Sequence, residues 1–441
     1  MRISNLIASF IMVGFAAQAA AEEAAPMSSN ESRGLSYSTG ADSATLPQGV
    51  ARVRLPYQAV KGNTTYDKDG NKSDSAATVT ATAGAVVLEY GLSNDLSLQM
   101  KVDYRMSQKI SITDKYRADA VAGAVAANKA TTYSSQLATL ATATGVTITD
   151  KASLETAIQT AIIGGCVPTL GSAAACSAAY AGGALKSDTL PTSLTSVFGA
   201  GSSSVSAKDY VSAAGAGTET KIISGITTAA NAKIDAAEYE GKGSLADTIV
   251  GVLYNPIKTA PFYAAVGAGL RIPTGNRNLA VGEQDATRSA YEFGVRVNLD
   301  YLPADWFMVS WQNQMELPLA GSKREVGGVS QETTRKGARN VGFLTFKPSL
   351  HLLHPSLEAV RTNFGLTYDY DNGEITKING VTSGGARTSQ SWTALGVGYS
   401  FLHSMKLPLQ LDVDYEMPRS GTNVSIATTK TIATLKGYYR F

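Results

Sequence analysis

The sequence predicts an all-β fold, an antiparallel transmembrane β-barrel of about 12 strands with a large, partly helical extracellular insertion rich in Ala, Ser and Thr. Three observations lead to this class. Apolar and polar residues alternate along segments of about ten residues, and the connections between these segments are alternately short and long. Charged residues make up only 17% of the 441 residues, while 20 tyrosines and 42 glycines are present, a composition typical of strands and turns rather than of a helical bundle.

The alternation has the period of two that belongs to a β-strand. In residues 96–106, LSLQMKVDYRM, apolar residues such as Val102 occupy one face and polar residues such as Lys101 the other. Residues 291–301, YEFGVRVNLDY, and 409–417, LQLDVDYEM, repeat the pattern. Strands of the alternative class, a soluble β-sandwich or barrel, typically have about five or six residues, whereas a tilted bilayer crossing needs about 9 to 11. The segment lengths therefore favour a membrane barrel.

The alternating segments are even in number, so both ends of the barrel lie on one side of the membrane. The predicted strands are residues 49–60, 82–91, 96–108, 246–255, 262–273, 289–302, 306–318, 340–353, 357–370, 389–402, 408–418 and 427–441. The connections SND, NPIKTAP, PAD, HPS and HSMKLP are short, and most of the others are long and polar, such as KGNTTYDKDGNKSDSAA and AGSKREVGGVSQETTRKGAR. Outer-membrane barrels have this asymmetry, with the short turns in the periplasm.

The N-terminus predicts export. Arg2 precedes the apolar run LIASFIMVGFAA, and small residues follow, which indicates a signal peptide, residues 1–21, cleaved after Ala21. No later stretch approaches the roughly 18 apolar residues of a membrane helix. We therefore expect a periplasmic segment at 22–48, barrel strands 1–3 at 49–108 and strands 4–12 at 244–441, in the outer membrane of a Gram-negative bacterium.

Residues 109–243 interrupt the strand pattern, and by the alternation of connections they form an extracellular insertion. TDKASLETAIQTAIIGG, residues 149–165, predicts a helix that Thr149 or Asp150 caps and Gly164 ends. Its apolar stripe is Leu154, Ile158 and Ile162. Residues 114–145 form a second, alanine-rich helical candidate. The insertion could cap the barrel, enter it or extend outward.

The mature chain has two cysteines, Cys166 and Cys176, within the insertion. Because the exported protein meets an oxidising compartment, we expect them to form a disulfide that closes a short loop.

The stretch GSLADTIVGVLYNPIKTAPFYAAVGAGLRIPTGNRN resembles the family of outer-membrane barrels associated with the meta-pathway of phenol degradation. The residues that carry this resemblance are Gly243, Asp247, Gly251, Gly269, Leu270, Arg271, Ile272, Pro273, Thr274 and Gly275, together with Glu89, Tyr90, Gly91, Leu92 and Leu96. The resemblance extends over the barrel and omits residues 109–243. It implies passage of small, often hydrophobic molecules across the outer membrane.

Charged residues fall opposite the apolar face of the predicted strands, where they would point into the barrel. The candidates for the lumen are Arg52, Arg54, Glu89, Lys101, Asp103, Arg105, Arg271, Glu292, Arg296, Asp300, Lys347, Asp412, Asp414, Glu416 and Arg440. Facing lipid, each would cost up to a few kcal/mol. They could simply pair with one another, or their mixed signs could form a selectivity zone, as rings of charge do in channels.

The sequence supports three functional hypotheses. The first is a channel for passive passage of small solutes, and the second is a surface structural or adhesion protein whose barrel anchors the insertion. The third, an embedded hydrolase, needs a serine and an Asn or Asp beside a histidine, for which His351 is the candidate. No serine stands in a diagnostic motif, and no metal or cofactor motif is present, so we expect a non-enzyme without cofactors.

Expected partners are outer-membrane lipid and lipopolysaccharide, the barrel-assembly machinery and a small solute. A net charge of +2 gives no indication of nucleic-acid binding. The chain ends in KGYYRF, where Tyr439 and Phe441 share the lipid-facing phase of the last strand. This ending resembles the C-terminal signal that barrel-assembly machinery recognises.

Overall fold

The computed structural model describes residues 45–440 except 260, 276–277, 280–289, 305, 336, 351–352, 379–380, 402–404 and 406. The predicted signal peptide, most of the predicted periplasmic segment and Phe441 therefore lie outside the described residues. The chain divides into a unit that runs to Ser111 and resumes at Tyr239, and a second unit, Ile112–Glu238.

The described residues of the first unit form sixteen strands. They are β1 (Val50–Tyr66), β2 (Lys72–Ser93), β3 (Leu96–Ile112), β4 (Tyr239–Thr259), β5 (Phe262–Ile272), β6 (Asn278–Leu279), β7 (Ala290–Ala304), β8 (Phe307–Val326), β9 (Val329–Arg335), β10 (Arg339–Pro348), β11 (Val360–Asp371), β12 (Glu374–Ile378), β13 (Val381–Gly384), β14 (Thr388–Ser400), β15 (Leu409–Thr422) and β16 (Val424–Arg440). A short 3-10 helix, Pro355–Ala359, precedes β11.

Twelve of these strands, all except β6, β9, β12 and β13, form a closed antiparallel barrel. The last strand, β16, pairs with the first, β1, so that Arg54 lies opposite Lys436. On the other side β8 pairs with β10, which completes the ring. Among the described residues, closure gives each of these twelve strands a partner on both sides, the property that a barrel needs in lipid. The predicted fold class is confirmed.

We call the end of the barrel that carries Val50 and Arg440 the proximal end, and the opposite one the distal end. The proximal end carries the two-residue connections, such as those between β2 and β3 and between β4 and β5. The distal end carries the extended hairpins and the connection to the second unit.

Several connections predicted as long loops are instead continued strand ladders at the distal end. β1 and β2 extend to a five-residue turn in which the Asp67 carboxylate accepts hydrogen bonds from the backbone N–H groups of Asp69 and Asn71, both at 2.8 Å. β8 and β9 continue similarly around Gly327 and Gly328, whose φ angles are 56° and 80°. These segments are polar on both faces, so they lack the alternation that signals a strand, yet pairing still satisfies their backbone groups.

The predicted loop at residues 371–388 contains β12 and β13. β12 pairs with β9 on one side and with β13 on the other. Together with the end of β8, these short strands form a ribbon continuous with the barrel wall.

The second unit is helical. Its helices are α1 (Asp114–Gln136), α2 (Ala138–Thr144), α3 (Lys151–Leu170), α4 (Ala173–Ala181), α5 (Thr192–Phe198) and α6 (Ala207–Asp235), with a short 3-10 helix at Ser187–Thr189. Buried side chains from α1, α3, α4, α5 and α6 form one hydrophobic core.

Asp150 caps α3, and its carboxylate accepts a hydrogen bond of 2.8 Å from the backbone N–H of Ser153. Leu154 and Ile158 are fully buried in the core. The prediction that Gly164 ends the helix is wrong. α3 continues to Leu170 and ends at Gly171, which has a left-handed conformation with φ 76°. A glycine within a helix lowers its stability by only about 1 kcal/mol, so tertiary packing can override it.

Cys166 in α3 and Cys176 in α4 are joined by a disulfide, with their Cα atoms 5.9 Å apart. In the described part of the chain, no single helix has the length and apolarity of a membrane span. The pair α3 and α4 meets that test only when taken together, with a bend of 117° between them.

Candidate functional site: the interior of the barrel

The barrel encloses a cavity of about 490 Å³. Its lining comes from every barrel strand except β14. Seven of the predicted lumen residues line it: Arg54, Lys101, Asp103, Arg271, Glu292, Arg296 and Glu416. Seven more are buried: Arg52, Glu89, Arg105, Asp300, Lys347, Asp412 and Asp414. The polar phase of the strands thus brings fourteen of the fifteen candidates inside or to the cavity wall.

Two arginines share one carboxylate on β1 and β2. Arg52 lies directly opposite Glu89 in the strand register and donates from Nε to Oε2 of Glu89. Arg54 Nη2 donates to Oε1 of the same carboxylate at 2.7 Å. All three side chains are buried, so each charge is compensated inside the barrel rather than by solvent.

A second proximal group lies on β15 and β16. The ammonium nitrogen of Lys436, fully buried, is 3.1 Å from the carboxylate of Asp412. Gln410 donates to both oxygens of Asp412 at 2.8 Å. On β11, Asn363 donates to Asp414 at 3.0 Å. Amide and ammonium donors thus surround these two carboxylates.

Two further predicted residues of the proximal half lie on β7 and β10. Asp300 accepts a hydrogen bond of 2.5 Å from the hydroxyl of Ser310, its register partner on β8. Lys347 is buried near the end of β10.

The distal half holds a chain of ion pairs that crosses five strands, β5, β7, β8, β10 and β11. Arg271 donates to Glu292 at 2.9 Å and to Glu316 at 3.0 Å. Arg339 lies 3.5 Å from Glu316 and donates from Nε to Asp369 at 2.7 Å. Each of the two guanidinium groups therefore bridges two carboxylates, and the carboxylate of Glu316 contacts both arginines.

Other charged residues also line the cavity, and they are partly exposed except for the buried Glu416. Lys101 and Asp103 pair at 2.9 Å within β3. Lys430 pairs with Glu416 at 2.9 Å. Arg296 lines the cavity from β7.

The last two predicted lumen residues lie near the ends of their strands. Arg105 is buried and donates to Gln108 at 2.9 Å, near the distal end of β3. Arg440 is exposed and lies opposite Val50 at the proximal end of the β1–β16 ladder. Tyr439, proposed as part of an assembly signal, lies opposite Ala51.

Two of the motif glycines quoted above, Gly251 and Gly269, lie side by side on the cavity wall. Gly251, Gly269 and Gly294 are successive register partners on β4, β5 and β7, and all three line the cavity. Nearby, the hydroxyl of Thr274 contacts the backbone N–H of Thr248 at 3.0 Å. The three glycines leave a strip of bare backbone on the cavity wall.

Asp247 is buried beside this strip and interacts electrostatically with Arg271. Asp247 was not among the predicted lumen residues, although the family motif contains it. Its strand, β4, is rich in glycine and alanine, so the alternation of apolar and polar residues that identified the other charged residues is not visible there. Gln312, Phe343 and Thr367 also line the cavity, and reasoning from charge did not select them because they carry none.

The hydrolase hypothesis depends on His351. His351 and His403 lie outside the described residues, and His354 is exposed beside the 3-10 helix at Pro355–Ala359. Within the described residues, no cluster of three or more His, Cys, Asp or Glu side chains could hold a metal ion.

No protein-family model matches the sequence. The search of curated proteins likewise finds no match. Solved structures do match. An outer membrane channel from Pseudomonas putida F1 is similar over 92% of this chain and 100% of its own, with a TM-score of 0.50 and 10% sequence identity.

Two other similar structures are the toluene transporter TodX of P. putida and a Pseudomonas aeruginosa FadL homologue. TodX is 8% identical over 90% of this chain and 91% of its own, with a TM-score of 0.31. The FadL homologue is 7% identical over 89% of this chain and 90% of its own, with a TM-score of 0.34. These two scores are too low to bear on the details of the fold. The first match shows that this chain has the barrel fold of an outer membrane channel.

Proposed function

We propose that the protein is an outer-membrane channel through which small solutes diffuse passively. The observation that carries this proposal is the cavity inside a closed barrel, lined by charged groups of both signs. The shared fold of the P. putida F1 channel supports it. The resemblance of the motif to barrels associated with phenol degradation also supports it and favours solutes with apolar parts.

The outer surface of the barrel supports a membrane location. Apolar side chains in the phase opposite the charged ones are exposed, among them Leu88 and Tyr90 on β2 and Leu98 and Met100 on β3. Soluble proteins rarely expose contiguous apolar patches beyond a few hundred Å². A band of this kind around a closed barrel is stable in lipid, where its side chains contact acyl chains instead of water.

The ion pairs give the interior a mixed electrostatic character. Because Arg271 and Arg339 are each balanced by carboxylates, a permeating solute meets alternating local fields rather than one dominant sign. We propose that this arrangement acts as the selectivity zone.

Planar-bilayer recording tests the channel function. Folded, purified protein is expected to produce discrete conductance steps. Their absence, in the full chain and in a variant with residues 112–238 replaced by a short turn, would argue against a channel.

One observation favours the anchored surface protein as a second candidate. The unit Ile112–Glu238 has its own hydrophobic core and a disulfide, so it could act as a domain in its own right. Under this alternative, its removal abolishes attachment to a surface or another cell and leaves solute uptake unchanged.

A further inference from the structure

The outer face of four neighbouring strands, β14, β15, β16 and β1, changes character toward the distal end of the barrel. Nearer the proximal end it carries exposed apolar side chains, Leu395 on β14, Tyr415 on β15, Leu435 on β16 and Tyr57 on β1. Toward the distal end the same faces continue with hydroxyl-bearing or basic residues, Ser391 on β14, Ser420 on β15, Thr429 on β16 and Lys61 on β1. The apolar band therefore ends at this level.

Three exposed cations lie at or beyond this boundary. Lys61 has the same strand phase as the exposed Tyr57. Arg419 lies beside Ser420, where the register between β14 and β15 shifts, and such bulges re-aim side chains. Arg387 directly precedes β14, and its guanidinium lies 5.3 Å from the ring centroid of Tyr370. We call Lys61, Arg387 and Arg419 the basic rim.

No carboxylate balances the basic rim on the outer face of these strands. The acidic residues of β14, β15, β16 and β1 are Asp412, Asp414 and Glu416, and all three are buried on the inner side of the barrel. Within the residues that the structure describes, neither the Lys61 ammonium nor the Arg419 guanidinium forms an ion pair or a hydrogen bond. This sector of the outer face thus has one sign of charge, unlike the cavity.

Two hydroxyl groups lie next to Arg419. Ser391 and Ser420 are register partners, and their Oγ atoms are 2.7 Å apart. When one hydroxyl donates to the other, the second keeps its own proton for an outside acceptor. A guanidinium beside a free hydroxyl proton is a set of donors well suited to a phosphate group.

The level of the basic rim defines its partner. The short connections of outer-membrane barrels face the periplasm, so the distal end of the apolar band meets the outer leaflet. That leaflet consists of lipopolysaccharide, whose lipid part carries phosphate groups on a pair of glucosamine units. Lys61 and Arg419 are separated by β16, two strand spacings or about 10 Å across the sheet, so both can contact one headgroup.

We infer that the basic rim is a binding site for the phosphorylated headgroup of lipopolysaccharide. Arg419 and the Ser391–Ser420 pair contact one phosphate, and Lys61 contacts the same headgroup from β1. Arg387, placed against Tyr370, extends the site toward the distal end. The acyl chains lie along the apolar band below. This inference concerns the membrane partner and does not depend on whether the barrel conducts.

Native mass spectrometry of the full chain in detergent tests the site, because it resolves bound lipids and protein copies together. The probe is hexa-acylated lipid A with both phosphates, and the comparison lipids are the same molecule without phosphates and phosphatidylglycerol. The variants are Lys61→Gln and Arg419→Gln. Lys258→Gln is the matched control, since Lys258 is an exposed lysine at the proximal end, 3.1 Å from Asp95.

We expect the phosphorylated lipid A to bind more tightly than either comparison lipid. Lys61→Gln and Arg419→Gln should each weaken its binding about fivefold, because each removes one cation near an anionic headgroup. Binding of the dephosphorylated lipid should not change in these variants, and Lys258→Gln should bind both lipids like the parent protein. Heat-modifiable migration on gels checks that each variant is folded.

Four results would overturn the site. They are equal affinity for lipid A with and without phosphates, equal affinity for phosphatidylglycerol, and a loss in Lys258→Gln as large as that in Arg419→Gln. The fourth is a second copy of the chain bound in place of lipid and released by Arg419→Gln, which would assign the rim to an oligomer contact.

Discussion

The ammonium nitrogen of Lys430 lies over the indole ring of Trp392, 3.7 Å from the ring centroid. The same ammonium group pairs with Glu416 at 2.9 Å, and the indole N–H donates to the carbonyl oxygen of Thr428 at 2.9 Å. One lysine therefore joins β14, β15 and β16 on the inner face of the barrel.

This arrangement predicts a stability effect. Lys430→Met keeps most of the side-chain packing and removes the charge, so we expect the free energy of unfolding to fall by about 1 to 2 kcal/mol. Urea-induced unfolding in lipid vesicles measures it. Lys68→Met is the control, since Lys68 is 80% exposed and its pair with Asp69 should contribute little. Equal effects of the two substitutions would contradict a role for the indole.

The distal ion pairs predict opposite changes in ion selectivity. Arg271→Leu leaves Glu292 and Glu316 without one shared guanidinium, so the reversal potential in a salt gradient should shift toward cations. Breaking a buried pair also costs about 3 to 5 kcal/mol, so the variant will be less stable. Glu292→Gln should shift the reversal potential toward anions. Shifts in the same direction would show that these charges do not act on permeating ions.

The disulfide predicts a local loss of stability. Cys166 and Cys176 are 10 positions apart, and closing a loop of this length stabilises a folded unit by about 3 kcal/mol in the chain-entropy description. Replacing both cysteines with serine should speed proteolysis within residues 112–238. The barrel belongs to the other compact unit, so its heat-modifiable migration should not change. Parallel loss of the barrel would contradict independent units.

The cap of α3 predicts a dependence on pH. The pKa of Asp150 is lowered from its ordinary 3.8, first by the backbone N–H and then by the hydroxyl of Ser153, both of which donate to the carboxylate. Because the folded pKa lies below the unfolded one, the stabilisation is complete above about pH 5 and is lost as pH falls through the folded pKa.

Hydrogen exchange of α3 in the full chain measures this effect. Asp150→Ala should lower local stability by about 1 kcal/mol at neutral pH, whereas Asp150→Asn should keep a cap without the acid dependence. An unchanged acid dependence in the asparagine variant would assign it to another group.

Much of the fold could be predicted from local patterns of apolar and polar residues in the sequence. The alternation in β3, β7 and β15 identified both the strands and the side that faces the cavity, because period two fixes each side chain to one face. The stripe of Leu154, Ile158 and Ile162 identified the buried face of α3 in the same way.

Features that depend on register could not be predicted from the sequence. Gln312, Phe343 and Thr367 meet only because β8, β10 and β11 are aligned across the barrel, and none carries a charge that would single it out. The distal hairpins of β1 and β8 were also missed, since strands polar on both faces have no periodic signal. Arg440 had the inward phase but lies at the end of its strand, where the cavity wall stops.

The pairing of β1 with β16 sets an order of events during biogenesis. The two strands that close the ring come from opposite ends of the barrel sequence, so the ring cannot be completed until β16 has been synthesised. The contacts of residues 112–238 are nearer in sequence, so that unit can mature while the strand that seals the wall is still arriving. The strand edges of the barrel therefore stay unpaired longer than the helical unit stays unfolded, and unpaired edges are prone to aggregation.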